Sequence, residues 1–114
     1  MHELSLMQNL GERVLEVASA QGAERVLTIR LRIGSLAGVD PEALRFAAEG
    51  VLAGTRAEGA TLAIEEIEAT CWCAPCAASF AATDGRCDCP RCGTLSRRLL
   101  RGKELSLVSL DLIP

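Results

Sequence analysis

Two short cysteine clusters limit what the second half of this chain can fold into. The segments CWCAPC and CDCPRC share the pattern C-x-C-x-x-C, so each offers three thiols. A structural zinc ion takes four ligands in a tetrahedron, and two C-x-x-C loops about a dozen residues apart can supply two thiolates each. The spacing therefore predicts a zinc site made by the last two cysteines of each cluster, which are Cys73, Cys76, Cys89 and Cys92.

The first cysteine of each cluster is surplus to this site. Cys71 and Cys87 each stand two positions before the first ligand of a pair. Because a closed four-sulfur site has no vacancy, we expect them to be small buried thiols or thiols that face away from the metal. The alternative is ligand exchange, in which a spare thiol replaces a bound one when the module changes shape.

The charge and composition of the chain limit which cellular compartment and which class of partner we expect. The chain has 12 basic and 15 acidic residues and a formal net charge of −3, which opposes broad attraction to nucleic acid or to anionic lipid. The sequence contains neither an apolar run of the roughly 18 residues that cross a membrane nor a secretory signal. We expect a cytoplasmic protein, in which six cysteines favour metal binding over disulfides.

Apolar periodicity predicts a helix and then a strand in the first third of the chain. The helical stripe is spaced by three and four residues and is followed by Gly22, a typical helix C-cap. Its members are Leu4, Met7, Leu10, Val14 and Val17. Residues 24–33 then alternate as a half-buried strand does. The predicted buried side consists of Leu27, Ile29, Leu31 and Ile33.

The remaining elements predict an α+β fold. Asp40-Pro41-Glu42 begins a second helix, which runs to about Leu52. Residues 61–69 and 104–112 are predicted strands, with a bulge or twist near residues 65–66 of the first. The expected architecture is two helices packed on a small three-stranded sheet, with an inserted zinc-ribbon-like domain. The boundaries are residues 1–69 plus 99–114 for the base domain and 70–98 for the insert, which is too short to fold without its metal.

The first four residues, MHEL, contain the only histidine of the chain. Because residue 2 is bulky, we expect Met1 to be retained. Its α-amine, the backbone nitrogen of His2 and the imidazole of His2 then wrap one metal ion, and a nitrogen of Glu3 or a carboxylate completes the planar set. Such nitrogen-rich planar surroundings suit Ni(II) or Cu(II) better than zinc. The alternative is a surface histidine and a favourable acidic charge at a helix N-terminus.

Three segments together resemble the HypA/HybF family of hydrogenase nickel-incorporation proteins. They are MHELSLMQNL at the start, IGSLAGVDPEALRFA in the middle, and CWCAPC with CPRCG in the insert. The resemblance covers essentially the whole length in the same order. It implies a nickel metallochaperone that serves [NiFe]-hydrogenase maturation, some members also serving urease, with a nickel-binding domain and an inserted zinc domain.

The resemblance also implies site residues and partners. It assigns Ni(II) to the amine of Met1 and to His2, with Glu3 adjacent, and Zn(II) to the four cysteines predicted above. Asp40 lies in a loop that matches the family's G-V-D/E segment, but its role as a helix N-cap already accounts for it. The implied partners are a HypB-type nickel GTPase and the hydrogenase large subunit, and for some members urease maturation proteins.

Two other functional classes stay open at this point. A zinc-ribbon adaptor for nucleic acid shares the cysteine spacing, but the acidic charge and the scarcity of aromatic residues count against it. A thiol oxidoreductase uses one C-x-x-C pair, whereas two matched pairs favour a metal site. We therefore expect a carrier that makes and breaks no bond in a substrate.

Overall fold

The computed structural model describes residues 2–82 and 85–114, which form two helices and six strands, so the predicted α+β class is confirmed. In chain order the elements are α1 (His2–Ala20), β1 (Arg25–Gly34), α2 (Pro41–Val51), β2 (Thr61–Ile67), β3 (Thr70–Cys73), β4 (Ala78–Ala81), β5 (Arg98–Arg101) and β6 (Leu105–Ile113). The chain divides into two compact units. The first comprises Met1–Leu31, Val39–Glu65 and Ser106–Pro114, and the second comprises Arg32–Gly38 and Glu66–Leu105.

Both helices have the ends that the sequence predicts. Gly22, just beyond α1, adopts a φ of +67°, the left-handed conformation that glycine reaches at no steric cost. Asp40 caps α2, because its carboxylate accepts hydrogen bonds from the backbone N–H groups of Glu42 at 3.0 Å and of Ala43 at 3.5 Å. Among the described residues, neither helix combines the length and the hydrophobicity needed to cross a membrane.

The core of the first unit is built from apolar side chains of both helices and of β1. The largest of these fully buried side chains are Met7, Val14, Val26, Ile29, Leu31 and Leu44. Gly11 is also buried, and a Cβ built on it would lie 3.1 Å from the Val51 side chain of α2. The absence of a side chain at this point therefore lets the two helices approach closely.

The predicted buried side of β1 is wrong at its first member. Leu27 is 47% exposed, whereas its neighbour Val26 is buried, and the regular alternation begins only at Ile29. Two consecutive outward-facing positions, Leu27 and the half-buried Thr28, thus interrupt the period of two. An irregularity of this kind is invisible to a sequence pattern in which Val26 and Leu27 are equally apolar.

The strands form two sheets of three strands each. The first has the order β2-β1-β6, and the second, which was not predicted, has the order β4-β3-β5 within the cysteine-rich segment. In the first sheet Arg30 of β1 donates two hydrogen bonds to the Asp111 carboxylate of β6, at 2.7 and 2.8 Å. These bonds, and the charge of the guanidinium, hold the pKa of Asp111 below its usual range.

Candidate metal centres

The strand β3 delivers two of the six cysteines to one face of the second sheet. Successive side chains of a strand point to opposite faces, so Cys71 and Cys73 share a face and Trp72 takes the other. Both cysteines are buried, at 0% and 2% exposure. The strand pairs antiparallel with β4 and β5, and its last residue Cys73 lies opposite Ala78.

Each C-x-x-C pair lies in a tight turn, and the two turns have a similar backbone conformation. The residue after the second cysteine has a positive φ in both, +49° at Ala77 and +74° at Gly93. Its N–H donates back across the turn, from Ala77 to the Ala74 carbonyl at 3.2 Å and from Gly93 to the Cys89 carbonyl at 2.8 Å. This conformation is unusual for alanine, and its only sequence signal is the matching position of the glycine in the second turn.

The four predicted ligands come together. The sulfur atoms of Cys73, Cys76, Cys89 and Cys92 all lie within 4.8 Å of one another. The Sγ atoms of Cys73 and Cys92 are 3.5 Å apart, and those of Cys76 and Cys89 are 3.9 Å apart. A tetrahedron with zinc–sulfur bonds of about 2.3 Å requires sulfur separations of about 3.8 Å. The donor set and its dimensions therefore fit one tetrahedral metal ion with no open coordination position.

Without a cation the four thiols differ in proton affinity. The Thr94 hydroxyl, 3.2 Å from the Cys92 sulfur, and the Thr94 backbone lower the pKa of Cys92 to about 6. Backbone hydrogen bonds, chiefly from Cys92, also lower the pKa of Cys89. Conversely, hydrogen bonding with the other thiols, chiefly Cys92, raises the pKa of Cys76 to about 12. Without a metal ion the clustered sulfurs repel one another as thiolates, so some of them keep a proton. A bound dication allows all four to be thiolates.

The expectation that the two surplus cysteines are free thiols is wrong in this structure. Cys71 and Cys87 are joined by a disulfide, with their Cα atoms 5.9 Å apart. That separation is typical of disulfides. The prediction was wrong because spacing distinguishes ligands from surplus cysteines but does not reveal that the fold brings the surplus pair together. The equal two-residue offset of both from their ligand pairs was the available signal.

The predicted nickel residues lie at the start of α1. His2 is the first residue of the helix, and its side chain is exposed. The carboxylate of Glu3 accepts a hydrogen bond at 3.2 Å from the backbone N–H of Asp40, the cap of α2. Met1 lies outside the described residues. The structure thus brings Glu3 to Asp40 at the N-terminal ends of both helices.

Comparisons with known proteins find relatives along nearly the whole chain. Residues 1–112 match the family model described as "Hydrogenase/urease nickel incorporation, metallochaperone, hypA". A hydrogenase maturation factor HypA from Picosynechococcus sp. is 42% identical over 113 residues, covering 99% of this chain and 100% of the relative. One from Rhizobium leguminosarum bv. viciae is 40% identical, with the same coverage of both chains.

Solved structures show the same fold. The solution structure of the Ni metallochaperone HypA from Helicobacter pylori superposes with a TM-score of 0.66 at 21% identity, covering 97% of both chains. A second solution structure of a HypA protein gives a TM-score of 0.69 at 24% identity and covers 99% of this chain. A family match over nearly the whole length, with relatives at about 40% identity, identifies the chain as a member of the HypA family of nickel-incorporation metallochaperones.

Proposed function

We propose that the chain binds Ni(II) at its N-terminus and delivers it during maturation of [NiFe]-hydrogenase, with zinc in the four-cysteine site as a structural ion. The relatives are hydrogenase maturation factors, and the family is described as a nickel-incorporation metallochaperone. The observation that carries the nickel site is the position of His2, exposed and first in α1.

A helix start leaves the backbone nitrogens of the terminal residues available to a metal. The first four N–H groups of an α-helix have no acceptor within the helix, and those of His2 and Glu3 belong to this group. The imidazole and amide of His2 and the α-amine of the preceding residue are close in the covalent chain, so they can form fused chelate rings around one ion, the amide nitrogen binding after it has released its proton to solvent. A planar nitrogen set of this kind suits Ni(II).

A cation bound at the start of α1 needs negative charge nearby, because the N-terminus of a helix carries partial positive charge and disfavours a cation. The Glu3 carboxylate, in the first turn of α1, accepts the hydrogen bond from the Asp40 N–H, while the Asp40 carboxylate caps α2. The negative charge of Glu3 offsets the positive end of the α1 dipole. We therefore infer that Glu3 completes or borders the nickel site.

The four cysteines have the chemistry of a structural zinc centre. Four thiolates in tetrahedral geometry select zinc among the common divalent ions, and a site without a vacant position holds structure and does no catalysis. The ion, when bound, offsets two of the four thiolate charges and joins the two turns. We propose residues 70–98 as the zinc-binding domain and residues 1–69 plus 99–114 as the nickel-binding domain.

Delivery of nickel needs partners and no covalent chemistry. An exposed histidine at a chain end can exchange ligands one at a time with an acceptor protein. We propose the HypB-type nickel GTPase and the hydrogenase large subunit as those partners, with urease maturation proteins as a further class and the cytoplasm as the compartment. The protein then acts as a carrier, with Ni(II) as its cargo.

Titration of the zinc-loaded protein with Ni(II) tests the nickel site. We expect His2→Ala, and separately one extra residue before Met1, to weaken nickel binding by more than the roughly 10- to 100-fold that even an outer-shell partner of a metal ligand contributes. Both changes should leave the zinc content unchanged. The matched control adds Asn9→His to His2→Ala, which returns an imidazole to an exposed position of α1 away from the amine. We expect no rescue.

Unchanged nickel affinity in the His2→Ala and extended proteins would overturn the terminal chelate. Rescue by Asn9→His would show that any imidazole on the helix suffices and that the amine has no part. Loss of affinity in both proteins, with zinc retained, would support the proposal.

Nickel binding should also weaken in acid. Nitrogen ligands must be free of their protons to coordinate a metal, so protons compete with Ni(II) for the same atoms in acid. We therefore expect lower nickel affinity at pH 5.5 than at pH 7.5, measured by calorimetry with the zinc content checked at both values. Equal affinity at the two pH values would contradict the assignment of His2.

A further inference from the structure

The disulfide between Cys71 and Cys87 lies beside the four-sulfur centre without contributing to it. Cys71 precedes the ligand Cys73 on the same buried face of β3, and Cys87 precedes Cys89 by the same two residues. The two bonded cysteines are separated by 16 positions. The bond therefore closes a loop that contains the first C-x-x-C pair and ends next to the second.

The two cysteines differ in their access to solvent. Cys71 is fully buried in the sheet, whereas Cys87 is only partly buried. Thiol–disulfide exchange begins when a thiolate attacks an accessible sulfur of the bond. Cys87 is thus the sulfur that a reductant reaches, and Cys71 is the leaving group.

Opening the bond takes two electrons, which a dithiol reductant supplies. One thiolate of the reductant attacks the Cys87 sulfur, forms a mixed disulfide and displaces Cys71 as a thiolate that takes up a proton. The second thiol of the reductant then attacks the reductant's own sulfur in the mixed disulfide and releases Cys87, which is protonated in turn. The products are two protein thiols and the oxidised reductant.

Hydrogen bonds hold the two cysteines near each other independently of the disulfide. The Ser96 hydroxyl donates to the carbonyl of Trp72, the residue next to Cys71. The Ser96 N–H donates to the carbonyl of Cys87 at 2.7 Å. One residue therefore connects both cysteine segments, so the reduced thiols stay within reach and the bond can form again.

The state of the bond should change the affinity of the neighbouring site for its metal. In a small metal domain the free energy of metal binding is largely free energy of folding. A disulfide across a loop of about 15 residues restricts the unfolded chain enough to change a folding equilibrium by about 100-fold. Because the loop contains Cys73 and Cys76, the restriction applies to the segment that the metal must organise.

We propose that Cys71 and Cys87 form a thiol–disulfide exchange site for a dithiol reductant, and that the state of this pair sets the affinity of the adjacent four-cysteine site for zinc. The inference rests on the zinc site of the proposed function. It assigns a role to the two cysteines that the metal does not use.

The test compares oxidised and reduced forms of the zinc-loaded full chain. Zinc protects the four ligands while glutathione disulfide oxidises the remaining pair, and alkylation followed by peptide mass spectrometry identifies the Cys71–Cys87 bond. Competition with a chromophoric zinc chelator then gives the affinity of each form. We expect the oxidised form to bind zinc more tightly by a factor that approaches about 100.

The double variant Cys71→Ala/Cys87→Ala removes both the bond and the spare thiols. It should match the reduced wild-type protein in zinc affinity and should not respond to the redox buffer. The comparison of the two wild-type forms involves no substitution, so it remains decisive where alanine at the buried Cys71 disturbs packing.

Zinc affinities within threefold of each other in the two wild-type forms would overturn the proposal. Failure of the pair to form a bond at any glutathione ratio would overturn it as well. Absence of zinc binding in both forms would instead refute the zinc site of the proposed function, and with it the redox role of the neighbouring pair.

Discussion

With zinc in the four-cysteine site as proposed, replacing Cys89 with serine should remove the ion and unfold the segment around it. Cys89 is 5% exposed and is one of four sulfurs within 4.8 Å of one another. A serine hydroxyl does not ionise near neutral pH and binds zinc poorly, so the site loses a ligand and a negative charge. Apparent binding free energies of structural zinc are about 10–16 kcal/mol in small zinc domains, and most of this is free energy of folding.

Three measurements separate the local effect from global unfolding. Elemental analysis after dialysis gives the zinc content, which should fall from one ion per chain to none. Hydrogen exchange should show lost protection in β3, β4 and β5. The helical circular dichroism signal should persist, because both described helices belong to the first compact unit.

The matched control is Ala74→Ser, which puts the same hydroxyl into the first cysteine turn at an exposed position. It should retain zinc and the protection of all three strands. Stoichiometric zinc of wild-type affinity in the Cys89→Ser protein would contradict the four-cysteine site.

Gly34→Ala should destabilise the protein strongly, because it adds a methyl group where two backbone segments are in contact. A Cβ at Gly34 would lie 2.1 Å from the carbonyl carbon and oxygen of Gly102, and 2.6 Å from the backbone nitrogen of Lys103. These are backbone atoms, which cannot rotate away as a side chain does. The two segments are also hydrogen-bonded, from the Gly34 N–H to the Glu104 carbonyl at 2.8 Å and from the Leu36 N–H to the Gly102 carbonyl at 2.7 Å.

Separating these backbones costs packing energy and at least one hydrogen bond. Overpacking costs about 1–3 kcal/mol and a lost hydrogen bond about 1 kcal/mol more, so we expect a loss of about 3 kcal/mol in the free energy of unfolding. Urea denaturation of the zinc-loaded protein measures it as a lower midpoint at an unchanged slope.

Gly50→Ala provides the control for Gly34→Ala. A Cβ at Gly50, in α2, would meet nothing within 4 Å, and alanine is favoured over glycine in a helix by about 1 kcal/mol. This variant should therefore be neutral or more stable. Equal denaturation midpoints for the two variants would show that the close backbone approach at Gly34 does not affect the free energy of unfolding.

The helices of this protein and its four-cysteine cluster were predictable because their signals are local. The cap at Asp40 and the glycine after α1 act on neighbouring residues, so short sequence patterns identify them. The cysteine spacing likewise predicted which four sulfurs gather. Strands β3, β4 and β5 escaped prediction because each has four residues, too few for an alternation pattern to stand out.

The amino-acid sequence by itself determined the α+β class, the family and the four clustered sulfurs, since each depends on the order and spacing of residues along the chain. The tertiary structure alone decided three other features. Val26 and not Leu27 is buried, Cys71 is bonded to Cys87, and the Glu3 carboxylate meets the N–H of Asp40. The first is an irregularity of the folded β1 backbone that residue types do not reveal. The other two depend on which distant segments the fold brings within a few ångströms, and no local pattern encodes that distance.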